Sequence, residues 1–170
     1  MIFKLGELFC GPGGIAKGAV TARIENPEFG IAHQWANDYD ANTCATYVRN
    51  ICPDWRESVV CADVRSLDFN QLYQIGDIDA LAFGFPCNDF SIVGEQKGFD
   101  GSFGPLYSYG VKVLQDKKPQ WFLAENVGGL QSANEGKAIE VIFEAMRSAA
   151  NADIEFIKTF INLKAEKLVA

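Results

Sequence analysis

Short apolar runs alternate along the chain with segments of helical periodicity. Five runs predict strands, at residues 4–9, 30–36, 58–62, 79–85 and 121–124. Apolar spacing predicts helices from the glycines at 13–14 to about residue 24, and over 41–50, 106–115 and 137–149. A sixth apolar run, 154–161, predicts a further strand.

This alternation of strands and helices predicts a doubly wound, mostly parallel α/β sheet. The run 79–85 is nearly continuous in apolar residues, which is typical of a strand covered on both faces. A chain of 170 residues has room for one such domain, so residues 1–170 are expected to form a single unit. Ligands of this fold bind beyond the carboxyl ends of the strands.

The composition excludes several classes of protein. No apolar run is long enough to span a membrane, and the N-terminus lacks the pattern of a secretory signal. Five cysteines without paired spacing predict free thiols in a reducing cytoplasm, and we expect all but Cys87 to be buried structural residues. A single histidine and the lack of a CxxC pair argue against a metal site.

The net charge of −7, with only 15 basic residues, is unusual for a protein that binds nucleic acid. Either the partner is not a nucleic acid, or the basic surface belongs to polypeptide outside this sequence.

The first candidate site is a pocket for a nucleoside cofactor. Glycines at 11, 13 and 14 join a strand to a helix, where backbone can approach a ligand closely, and the Lys-Ser/Thr of a phosphate loop is missing. Asp38, about 20 residues further on, can accept both ribose hydroxyls. Tyr39 can pack on an adenine, and Asp63 can accept a hydrogen bond from its amino group. Each feature taken alone is also typical of a plain turn or of a solvated aspartate that starts a helix.

The second candidate site is catalytic. Cys87 follows Pro86 directly after the fourth strand, where a thiol is placed for covalent attack. Glu125 ends the fifth strand and can face Cys87 across the strand ends. The alternatives are a buried structural cysteine and a carboxylate that caps a loop. The glycine-rich stretch 91–105 predicts a lid or binding loop, with a surface excursion as the alternative.

These clusters resemble the motifs of the DNA (cytosine-5) methyltransferase family, in the same order and at similar separations. The matching segments read FCGPGG at 9–14, PCNDFS at 86–91 and ENV at 125–127. GEQKGF at 94–99 is similar to the family's catalytic loop, and PLY at 105–107 to the start of its cofactor-side helix.

The resemblance implies a Rossmann-like, S-adenosylmethionine-dependent methyltransferase fold, and it implies a role for each matching residue. Cys87 would attack C6 of a flipped cytosine, and Glu125 would bind the N3/N4 edge. The residues implied to bind the cofactor are Phe9, Gly11, Gly13, Gly14, Asp38, Tyr39, Asp63, Val64 and Leu106. Those implied to contact duplex DNA are Pro86, Ser91, Asn126 and Val127.

The chain ends about where the family's arginine-rich motif is expected to begin, so we expect the family's target-recognition domain to be absent from this sequence. The family's last strand inserts beside the fifth. We therefore expect a sheet that is incomplete at its C-terminal edge, inactivity of the isolated chain, and a complementing subunit or self-association through the open edge. A bacterial or phage protein of the cytoplasm, near the nucleoid, is expected. A non-catalytic cofactor-binding or assembly module and a relative that acts on tRNA remain open alternatives.

Overall fold

The computed structural model describes residues 1–23, 28–86, 106–126, 130 and 136–150. Five strands form one sheet in the order β3-β2-β1-β4-β5, and every pairing between them is parallel. The strands are β1 (Ile2–Leu8), β2 (Gly30–Asp38), β3 (Val59–Cys61), β4 (Ala80–Gly84) and β5 (Trp121–Glu125). The helices are α1 (Gly14–Thr21), α2 (Ala41–Ile51), α3 (Phe69–Ile75), α4 (Tyr107–Lys117) and α5 (Lys137–Ala149).

The parallel α/β architecture is confirmed, and α5 has the predicted bounds. Helix α3 and two 3-10 turns, Arg56–Ser58 and Val64–Ser66, were not predicted. Helix α3 has only seven residues, with Phe69 and Leu72 buried, and this is too short for a periodic signal. Its start is marked locally, because the Asp68 carboxylate accepts the amide hydrogen of Asn70.

Alternate residues of the central strands feed two cores, one on each face of the sheet. Leu8 and Phe83 pack with side chains of α3, α4 and α5. Leu5 and Ala82 pack with side chains of α1 and α2 on the other face. This alternation explains why the central strands read as continuous apolar runs.

Helix α4 lies unusually close to β4. A Cβ atom on Gly110 would come within 2.4 Å of the Phe83 ring, so only glycine allows this approach. The close packing places Leu106, at the start of α4, beside the carboxyl ends of the strands.

Strand β5 is the outermost strand on its side of the described sheet, and the Leu123 side chain is 46% exposed there. The predicted strand at 154–161 lies outside the described residues, so the open edge and self-association through it stay predictions. Among the described helices, none is long and apolar enough to cross a membrane.

Candidate active site

The loop after β1 depends on backbone conformations that favour glycine. Phe9, Gly11 and Gly13 all have positive φ angles, and that of Gly13 is 95°. A Cβ atom on Gly13 would also lie 2.9 Å from the side chain of Ile51. An added Cβ on Gly11 or Gly14 would meet nothing within 4 Å, so this side of the loop is open to a ligand.

Asp38, at the end of β2, is held by this loop. One carboxylate oxygen accepts the backbone N–H of Gly11 at 3.0 Å, and the other accepts the N–H of Asp40 at 3.1 Å. Each oxygen keeps a second lone pair. The carboxylate is therefore fixed in place yet able to accept two further hydrogen bonds, as a ribose diol requires.

Asn37 is a site residue that sequence reasoning did not single out. It is 1% exposed, and its amide nitrogen donates to the carbonyls of Val60 at 2.8 Å and Ala62 at 2.9 Å. The Ala62 N–H in turn donates to the Asp38 carbonyl at 2.9 Å. These bonds hold the end of β3 against β2 and bring Asp63 to the rim that carries Asp38. An asparagine directly after a buried strand was the available signal.

A cleft opens at this rim. Its lining contains six of the nine predicted cofactor residues, together with Pro86 and two residues that were not predicted: Phe9, Asp38, Tyr39, Asp63, Val64 and Leu106, then Pro86, Asn37 and Arg65. The three loop glycines adjoin the cleft without lining it. Tyr39 lines it while remaining 76% exposed. Two carboxylates above apolar walls suit a nucleoside, which has a diol, an amino group and a flat base.

Arg65 was missed because an arginine two residues after an aspartate is common on surfaces. Its Nε and Nη2 atoms lie 2.9 Å and 2.5 Å from the two carboxylate oxygens of Asp63. Hydrogen bonds from the Arg65 side chain and backbone lower the pKa of Asp63 to about 2. Asp63 is thus an ionised acceptor that Arg65 already orients.

A second cluster lies at the ends of β4 and β5. Gly84 pairs with Glu125 in the register of these strands, and a Cβ on Gly84 would lie 3.2 Å from Oε2 of Glu125. The exposed Glu125 carboxylate is therefore beside the segment that leads to Cys87. The amide of Asn126 donates to the carbonyl of Phe85 at 2.8 Å. This bond, which was not predicted, ties the start of the Pro-Cys segment to β5.

Three predicted site residues, Cys87, Ser91 and Val127, lie outside the described residues, as does the loop 91–105. The DNA contacts predicted for Pro86 and Asn126 stay predictions.

The expectation that the remaining cysteines are buried is wrong at one position. Cys10, Cys44 and Cys52 are buried, whereas Cys61 is exposed. Cys61 ends the short outer strand β3, and its sulfur lies 3.8 Å from the Tyr39 carbonyl. An outer strand lacks a neighbour on one side, which leaves this thiol accessible.

Comparison with known proteins identifies the family. The family model described as C-5 cytosine-specific DNA methylase matches residues 3–150. The chain belongs to this family. Type II methyltransferase M.BbvI of Brevibacillus brevis is 58% identical over 154 residues, which are 88% of this chain and 41% of that protein. Type II methyltransferase M.NgoFVII of Neisseria gonorrhoeae is 37% identical over 82% of this chain and 34% of its own length.

This member of the C-5 cytosine methylases therefore spans about two fifths or less of the length of these relatives. Solved structures confirm the fold at low identity. The S. pombe Dnmt2 methyltransferase has a TM-score of 0.58 at 18% identity, covering 84% of this chain and 41% of that one. The Entamoeba histolytica methyltransferase EhMeth has a TM-score of 0.59 at 15% identity, covering 85% and 43%.

Proposed function

We propose that this chain is the cofactor-binding and catalytic portion of a DNA (cytosine-5) methyltransferase that uses S-adenosylmethionine. One observation carries the proposal. The cleft that suits a nucleoside is bordered by Pro86, the residue before the predicted nucleophile Cys87. A methyl donor in this cleft and a base at Cys87 would be neighbours.

The lining residues would divide the cofactor between them. The free lone pairs of Asp38 would accept the ribose hydroxyls, and Asp63 would accept the adenine amino group. Val64, Leu106 and Phe9 would pack on the apolar faces. When bound, S-adenosylmethionine supplies the methyl group. S-adenosylmethionine carries no phosphate, so its site needs no positive side chain to balance one. The two carboxylates at the rim agree with such a ligand.

Cys87 and Glu125 would activate the cytosine. The Cys87 thiolate would form a bond to C6 of a base flipped out of the duplex, so that the electrons of the C5–C6 double bond become available at C5. Glu125 would hydrogen-bond the N3/N4 edge and stabilise the protonated ring. After C5 has taken the methyl group, loss of the C5 proton and cleavage of the S–C6 bond would restore the ring and the thiol. The Glu125 position beside Gly84 supports this pairing of roles.

Cofactor binding is tested on the 170-residue chain by calorimetry with S-adenosylhomocysteine, the stable product. Asp38→Ala should abolish measurable binding, because it removes both the diol acceptors and the bond to the Gly11 amide. Asp38→Asn keeps one oxygen acceptor and should bind with intermediate affinity. Asp54→Ala removes a charge from an exposed residue outside the cleft and is the matched control. A wild-type chain without affinity would instead favour a non-catalytic module.

Catalysis is tested in a chimera that supplies the remaining length from the 58% identical relative. Duplex DNA containing 5-fluorocytosine should form a covalent adduct with the chimera and not with its Cys87→Ser variant. An adduct in the variant would disprove the assigned nucleophile. Methyl transfer to tRNA in preference to duplex DNA would overturn the proposed substrate.

A further inference from the structure

A chain of polar groups runs through the core beneath the glycine loop. Oε2 of Glu7, a residue of β1 that is 1% exposed, lies 3.0 Å from the hydroxyl of Tyr47, which is fully buried. The same hydroxyl lies 3.2 Å from Nδ1 of His33. Nε2 of His33 lies 2.7 Å from the Ser58 hydroxyl, which donates to the carbonyl of Trp55 at 2.6 Å.

The backbone carbonyl at one end fixes the direction of every hydrogen bond in this chain. A carbonyl can only accept, so the Ser58 proton is used there, and Nε2 of His33 must donate to the Ser58 oxygen. In a neutral imidazole, Nδ1 is then an acceptor and receives the Tyr47 proton. Tyr47 has no second proton for Glu7, so the Glu7 carboxyl must itself donate. The alternative arrangement has an imidazolium at His33 and a carboxylate at Glu7. Both arrangements contain the same number of protons, which is one more than a neutral His33 with an ionised Glu7 would have.

Burial decides where that proton lies. Burial raises the pKa of Glu7 to about 7, although its side-chain hydrogen bond with Tyr47 and a bond with the Ala16 backbone oppose the rise. Burial also lowers the pKa of His33 to about 4. Both shifts favour the neutral forms, so the proton belongs to Glu7.

The neighbouring titratable groups do not favour an ionised Glu7. Asp38, from β2, acts on Glu7 directly and raises its pKa further. The thiols of Cys10, in the loop after β1, and Cys52, at the end of α2, act on Tyr47. All three groups are acids, and none can compensate a negative charge at Glu7.

This network supports the glycine loop from below. A Cβ on Gly13 would lie 3.2 Å from the Tyr47 ring, so the loop rests directly on the tyrosine. Glu7 holds that tyrosine from β1, the strand that leads into the loop. We infer that Glu7 is a buried neutral acid, and that Glu7 and Tyr47 are positioning residues that hold the glycine loop in its ligand-binding form through the proton on Glu7. The part of this inference that concerns the ligand rests on the proposed function.

The inference has a defined pH dependence. A carboxyl whose pKa is raised on folding contributes stability fully below its ordinary value of 4.5, and that contribution is lost as the pH rises through about 7. If only the protonated form holds the loop, the dissociation constant of the ligand should rise by up to about tenfold for each pH unit above about 7. Glu7→Gln keeps a donor to Tyr47 and cannot ionise, so both dependences should disappear in this variant.

His33 provides the direct test, because it is the only histidine of the chain. Long-range ¹H–¹⁵N NMR should show one neutral ring protonated at Nε2 from about pH 5 to about pH 8. An imidazolium, or a ring protonated at Nδ1, in that range would overturn the assignment of the proton to Glu7. Tyr47→Phe removes the donor to Nδ1 and leaves the Ser58 acceptor in place, so the ring should stay protonated at Nε2 in this variant.

Urea unfolding then tests the proton on Glu7, and calorimetry with S-adenosylhomocysteine tests whether that proton positions the glycine loop for the ligand. Wild-type stability relative to Glu7→Gln should fall between about pH 5 and about pH 8, and parallel profiles would overturn the inference. Ligand affinity should weaken above about pH 7 in the wild type only, and equal weakening in both proteins would overturn the positioning role. If neither protein binds the ligand at any pH, the proposed function fails, while NMR and unfolding still decide the proton.

Discussion

Two asparagines hold the two parts of the candidate site, the cofactor cleft and the cluster at the ends of β4 and β5, and they do so unequally. Asn37 is buried and donates to two carbonyls of the neighbouring chain segment, joining the ends of β2 and β3. Asn126 is half-buried and donates to the carbonyl of Phe85. The same kind of side chain makes the same kind of bond at both places, but only Asn37 is fully buried.

The difference separates the binding of a cofactor from the binding of a base. On the cofactor side, Asp38 is fixed by two backbone amides, so the site exists before any ligand arrives. On the base side, Glu125 is exposed and its strand is the outer strand on that side of the described sheet. We therefore expect the cofactor half to function in the isolated chain and the base half to depend on polypeptide outside this sequence.

Asn37→Ala should have the largest effect. It leaves the half-buried carbonyls of Val60 and Ala62 without this donor, which should lower the free energy of unfolding by about 2–4 kcal/mol. Asp63 should lose its position at the rim, and the affinity for S-adenosylhomocysteine should fall with it. Urea unfolding and calorimetry measure the two effects. Asn50→Ala, at an exposed residue with one long bond of 3.3 Å to the Pro12 carbonyl, should change stability by less than about 0.5 kcal/mol.

Asn126→Ala should have a smaller effect on stability and almost none on cofactor affinity. It removes the hydrogen bond to the Phe85 carbonyl at a half-buried site, which predicts a loss of about 1 kcal/mol. The loss of activity in the chimera should be larger, because the segment before Cys87 is no longer tied to β5. If this variant bound S-adenosylhomocysteine as poorly as Asn37→Ala, the cofactor cleft and the cluster at the ends of β4 and β5 would not be independent.

The strands and most helices could be predicted because their apolar residues repeat with clear periods, as in α5. The cofactor residues could be predicted because glycines and a carboxylate follow the first two strands at a recognisable spacing. Helix α3 could not be predicted, because its seven residues include only two buried positions, which are too few to show a period.

The contacts that join separate segments could not be predicted from the sequence pattern. Nothing local shows that Asn37 reaches Val60, or that Asn126 reaches Phe85, because these bonds depend on the strand register. The protonation of Glu7 also requires the fold, since it follows from His33 and Ser58 being brought together. Exposure of Cys61 depends on β3 being an outer strand, which a mostly parallel pattern does not reveal.

The smallest effect is expected from substitution of Arg65, which only orients the Asp63 carboxylate of the cofactor cleft. Arg65→Gln should raise the pKa of Asp63 from about 2 towards its ordinary value of 3.8, because the main cause of the shift is the hydrogen bond from Arg65. Asp63 is ionised near neutral pH in both proteins, so its contribution to stability differs only in acid: the depressed pKa stabilises the fold above about 3.8, and this is lost as the pH falls through about 2.

The pair is exposed, so affinity for S-adenosylhomocysteine at neutral pH should change by no more than about threefold. Carboxyl ¹³C NMR titration of Asp63 measures the pKa, with Arg56→Gln as a control that removes the same charge from an exposed residue outside the cleft. An Asp63 pKa that stayed near 2 in Arg65→Gln would show that the backbone of the rim, and not Arg65, holds the carboxylate ionised.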